Sequence, residues 1–144
     1  MQFASVLCFW FVAASVVFVD QARAQDAPTG FECSFEMGNA WSYEAGAFNT
    51  KAPARLAFKI TEIDLDGQSA RLLTDGRDNP GTLKIVRAIN ANHFLEVVNE
   101  GFLNLTTVYD KDPATGTHPA VHSRHFGLLG QPVFAQYAGS CTAK

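Results

Sequence analysis

Three of the four histidines in this chain fall within eight residues, in the segment Thr117-His118-Pro119-Ala120-Val121-His122-Ser123-Arg124-His125, the densest group of side chains able to do chemistry. The spacing H-x3-H-x2-H offers three imidazoles, and Glu96, Asp110 or Asp112 offers a fourth ligand for zinc, which takes four nitrogen, sulfur or oxygen donors in a tetrahedron. Strand geometry works against that reading. Along an extended chain successive side chains point to opposite faces, so His122 and Arg124 share one face while Ser123 and His125 share the other. His118 has the parity of His122, but Pro119 is expected to break the strand between them. The expectation is that His122 and Arg124 join a polar network with acids on neighbouring strands and that His125 points away. No metal or cofactor is called for, and metal binding by the 118–125 cluster is the alternative.

Other candidate chemistry is thinner. Ser123 lies between His122 and Arg124, but strand neighbours project in opposite directions and the chain has no G-x-S-x-G nucleophile turn. Asp64 and Asp66 resemble the start of a calcium loop, yet Gly67 comes too early and no glutamate closes a twelve-residue loop. Asn104-Leu105-Thr106 matches a glycosylation acceptor but sits inside an expected strand. These residues do not form a convergent catalytic constellation, so a noncatalytic role is expected.

Residues 3–19 carry no charge, and Ala22-Arg23-Ala24 follows with the small-x-small pattern that a signal peptidase takes. The apolar run is shorter than the roughly 20 residues that span a bilayer. Residues 1–24 therefore read as a secretory leader that is removed, leaving residues 25–144 as a single domain with no membrane span. Cys8 leaves with the leader, and Cys33 and Cys141 remain as the only pair in the mature chain. In an oxidising compartment they are expected to form one disulfide near the two ends of the domain. The net charge of −3 leaves no basic footprint for nucleic acid.

The elements that must position these groups are strands. Turn residues recur every eight to twelve positions, with aromatic and β-branched runs between them. Phe31–Glu36, Leu56–Thr61 and Ser69–Leu73 alternate in hydropathy, and a short strand is expected near Trp41–Glu44. Thr82–Ile89, His93–Val98, Phe102–Tyr109, Ala120–Phe126 and Val133–Tyr137 complete the set. A short helical turn is expected within 45–54. Sequential hairpins predict an all-β domain, a small antiparallel up-and-down barrel of lipocalin-like form, with a two-sheet sandwich as the alternative. Barrels of this size are either filled by side chains or hold one small ligand. If Lys84, Arg87 or Arg124 points inward, it must be paired or meet an anion, because an unpaired buried charge is costly.

Phe31-x-Cys33, Leu105-Thr106-Thr107-Val108-Tyr109, Pro119–His125, Gly130-Gln131-Pro132 and Gln136-Tyr137-x-Gly139-x-Cys141 together resemble small exported proteins of alphaproteobacteria that carry no assigned function. That resemblance implies a periplasmic or secreted location and brings no catalytic residues. The expected role is an exported binding or interaction module for a protein, a glycan or a small ligand, with His122, Arg124, His125 and Tyr109 as candidate binding residues. A structural envelope protein is the remaining alternative.

Overall fold

The structure, a computed structural model, describes residues 27–76, 78–98, 101–127 and 130–144, so the expected leader at 1–24 lies outside the described residues. Among the described residues nine antiparallel strands run in chain order: β1 Phe31–Glu44, β2 Ala47–Lys51, β3 Leu56–Asp64, β4 Ser69–Leu73 and β5 Gly81–Arg87, then β6 Ala91–Val98, β7 Phe102–Tyr109, β8 His118–Phe126 and β9 Val133–Ala143. Neighbours pair in the order β2-β1-β3-β4-β5-β6-β7-β8-β9, and β9 returns to pair with β1. Eight strands therefore close into an up-and-down barrel, and the sandwich alternative does not apply. β2 extends β1 beyond the barrel wall.

Local chemistry explains the hairpins. Asp64 Oδ1 accepts hydrogen bonds from the backbone N–H groups of Asp66 and Gly67, so one carboxylate holds the β3–β4 turn. Between β1 and β2, Glu44 pairs with Ala47, leaving Ala45 and Gly46 as a two-residue turn with φ of 51° and 85°. Positive φ at both central positions is the hairpin geometry that matches strand twist. The helical turn expected within 45–54 is thus strand β2, because this turn folds the segment back onto β1. The strand expected at Trp41–Glu44 is the continuation of β1, which passes the Phe31–Glu36 region through a bulge between Phe35 and Met37. Ile89 lies beyond the end of β5 and is fully exposed.

Inward-facing residues fill most of the barrel. Phe31, Phe35, Phe58, Ile60, Leu72, Leu83, Ile85, Phe94 and Val108 form one core. At the β1–β9 seam Cys33 lies opposite Cys141, and the two are joined by a disulfide. Gly139 lies opposite Phe35, and a Cβ there would strike the Ser34 carbonyl. The glycine lets β1 and β9 approach closely beside the covalent tie.

Candidate functional site

The cross-strand register stacks inward side chains in layers towards the end of the barrel where β8 finishes. One layer holds Phe94, Thr106, His122 and Tyr137, each paired with the next. The layer above it holds Glu96, Asn104, Arg124 and Ala135. Above that, Phe102 pairs with Val98 and with Phe126 at the rim. Polar side chains thus enter the interior on three successive strands, two residues apart on each of β7 and β8.

His122 is 3% exposed and packs among the rings of Phe35, Phe58 and Tyr137, with centroids 5.7, 5.2 and 5.9 Å away. Its Nδ1 lies 2.8 Å from Thr106 Oγ1. Burial, reinforced by the Arg124 charge, pushes the imidazole pKa down to about 3, so the ring is neutral at physiological pH. Asn104 Nδ2 donates to Glu96 Oε2 at 2.7 Å, which turns the carbonyl of the amide away from that carboxylate. Among the described residues three buried side-chain polar atoms find no partner: Asn104 Oδ1, His122 Nε2 and Arg124 Nε. Such atoms are rare in folded proteins, because losing water without a replacement bond costs about 1–3 kcal/mol each.

All three residues line a cavity of about 500 Å³ at this end of the barrel. Leu56, Phe58 and Leu72 form its apolar side, while Arg55, Thr74 and Asp75 stand at its edge. A second cavity of about 270 Å³ shares Asn104 and Arg124 and adds Val98, Phe102 and Phe126. The two hollows therefore meet at the Asn104–Arg124 pair, giving a polar floor between two apolar walls. We call this end of the barrel the cup.

The other candidates from the sequence lie elsewhere. His118 faces inward at the opposite end, where its Nδ1 meets the Tyr109 carbonyl oxygen at 2.8 Å and its ring packs on Phe31. Pro119 does not break the strand, since β8 runs without interruption from His118 to Phe126. His125 lies on the outer face against Phe134, in a group of rings that includes Trp41, Tyr43 and Phe48. Tyr109 is half-exposed at the end of β7, far from Arg124. The imidazoles of the 118–125 cluster therefore occupy three separate places, and among the described residues no three His, Cys, Asp or Glu side chains gather around one point. Of the basic residues considered, Lys84 and Arg87 are exposed and Arg124 turns inward. Among the described residues no acid forms an ion pair with Arg124. Glu96, which lines the same cavity as Arg124, accepts a hydrogen bond from Asn104.

Sequence reasoning missed Asn104 and Thr106 as inward residues and weighed Glu96 only as a metal ligand. The signal was present as an inverted alternation: Leu103, Leu105 and Val97 face outward at 41%, 36% and 70% exposure, while Asn104, Thr106 and Glu96 face inward. A strand that buries its polar side and exposes its apolar side departs from the usual pattern. Comparison with known proteins gives no match to any family model, to any curated protein or to any solved structure.

Proposed function

We propose that the protein is an exported, noncatalytic binding module that holds a small ligand in the cup. The observation that carries this reading is that the three residues with an unpartnered buried polar atom, Asn104, His122 and Arg124, all line one cavity. Binding pockets combine apolar walls with a few fixed polar groups in this way. Export is supported by the apolar run at 3–19, the Ala22-Arg23-Ala24 site and the disulfide between Cys33 and Cys141. The cup has no activated nucleophile, since Ser123 faces outward, and its one imidazole is fixed on a threonine rather than on a carboxylate.

Native mass spectrometry of the protein secreted with its own leader and recovered from a bacterial periplasm tests this. The expected spectrum shows a retained organic molecule that is lost in a variant carrying Asn104→Leu and Arg124→Met. A retained metal ion that survives those substitutions and disappears in His118→Ala would overturn the reading in favour of the histidine cluster.

A further inference from the structure

We propose that the cup is a site for an amphipathic carboxylic acid: the carboxylate is held by Arg124 and His122, and the apolar part lies against the Phe102–Phe126 rim. This rests on the ligand-binding reading above and specifies the chemistry of the same site.

The geometry supplies each part. His122 and Arg124 are two residues apart on β8 and point to the same side, so their Cα atoms stand roughly 7 Å apart along one strand. Thr106 can donate its hydroxyl proton to His122 Nδ1 at 2.8 Å, which leaves Nε2 carrying the ring proton as a buried donor without a partner, on a residue that lines the cup. Arg124 Nε–H is the second buried donor, and the guanidinium is always charged. Two donors on one face of the strand, one of them cationic, are the groups that a carboxylate pairs with.

The charges lining the cup are two of each sign, Arg55 and Arg124 against Asp75 and Glu96. Burial first, and the Arg124 charge second, hold the His122 ring neutral. Glu96 is the buried acid of the cup, and its Oε2 already accepts from Asn104 Nδ2. Asp75 and Arg55 stand at the edge with opposite charges. The third unpartnered atom, Asn104 Oδ1, is an acceptor and fits a hydroxyl carried near the acid group. Beyond these groups the walls are apolar, with Val98, Phe102 and Phe126 on the side shared with Arg124. A ligand that is an acid at one end and hydrocarbon at the other satisfies both halves, and a water-filled cup satisfies only the polar one.

Titration of the ¹⁵N-labelled disulfide-bonded protein with decanoate, 3-hydroxydecanoate and 1-decanol, followed by NMR at pH 7, tests the assignment. Decanoate is expected to shift the resonances of His122, Arg124 and Phe126, 3-hydroxydecanoate to bind more tightly, and decanol to bind about tenfold or more weakly than decanoate. Arg124→Met is expected to weaken decanoate by roughly tenfold to a hundredfold and to leave decanol unchanged. Repeating the wild-type titration at pH 4 needs no variant: protonation of the ligand carboxyl, which titrates at roughly 4–5, is expected to remove most of its advantage over decanol. Decanol binding in the cup as tightly as decanoate at pH 7 would overturn the carboxylate assignment while leaving a ligand-binding cup. No shift in cup residues with any of the three probes would overturn the assignment too. The native mass spectrum then decides separately whether the cup retains some other molecule.

Discussion

Thr106 and His122 face each other across the β7–β8 pair, and the 2.8 Å contact between the threonine hydroxyl and Nδ1 is the fixed point from which the ring addresses the barrel interior. A histidine so placed is neutral when folded and titrates normally when unfolded. Its folded pKa of about 3 lies well below the ordinary value of about 6.5, so between those limits the unfolded chain binds the extra proton. Stability therefore falls as pH drops from about 6.5 towards 3, with a contribution from this residue on the order of a few kcal/mol at most. The measurement is chemical denaturation at pH 7, 5.5 and 4 for wild type and His122→Gln. The variant is expected to lose a distinctly smaller share of its stability on acidification. Equal losses would contradict the buried neutral ring.

Arg124 is expected to show the opposite of a structural ion pair. Pairing with an acid on a neighbouring strand would make its truncation destabilising, but Glu96 is bonded to Asn104 and Arg124 Nε has no partner. Replacing a partly buried guanidinium whose Nε has no partner by an apolar chain of similar length removes a desolvation cost. Arg124→Met should leave stability unchanged or raise it by up to about 2 kcal/mol. Thermal melts in the absence of ligand check this. A fall of more than about 1 kcal/mol would mean that Arg124 does structural work not visible in its contacts.

The disulfide joins residues 108 positions apart at the seam where the barrel closes. In the chain-entropy account, a loop of that length is worth roughly 4–5 kcal/mol. The double variant Cys33→Ala, Cys141→Ala should lose about that much by urea denaturation, and the oxidised wild type should show no free thiol among Cys33 and Cys141.

Ala45 pays for its position in the β1–β2 turn. It has φ of 51° next to Gly46 at 85°, and nothing in the turn requires a methyl group. A left-handed conformation costs an ordinary residue about 1 kcal/mol or more, whereas asparagine tolerates it. Ala45→Asn should raise the midpoint of denaturation by an amount equivalent to about 0.5–1 kcal/mol. No change would show that the turn is not populated as described.

Much of the barrel was legible from hydropathy because its walls obey the usual rule: Phe31, Cys33 and Phe35 alternate with exposed Glu32, Ser34 and Glu36, and Phe58 and Ile60 alternate with Ala57 and Lys59. Regular punctuation made the hairpins readable in the same way. Two things were hidden. The short Ala45–Gly46 turn carries only one residue of the usual Asn-Gly signature, so the hairpin that forms β2 was masked. The cup was hidden by the same rule that revealed the walls. On β7 the polar Asn104 and Thr106 point inward and the leucines point out, so hydropathy alone assigns the strand to the wrong face. The parity argument placed His122 and Arg124 together because parity needs no assumption about which side is wet. It did not bring in Asn104, since strand order decides that neighbour, and strand order is not written in periodicity.

The chain enters and leaves the barrel at one place. Lys144 N–H donates to the Gly30 carbonyl at 3.0 Å, and Thr29 Oγ1 donates to the Lys144 carbonyl at 3.1 Å. This is the His118 end of β8, roughly 20 Å along the strand from Arg124. A pull transmitted through Thr29 or through Lys144 therefore reaches the barrel at the end away from the cup, and the closing seam of β1 and β9 bears it before the ligand-facing layers do.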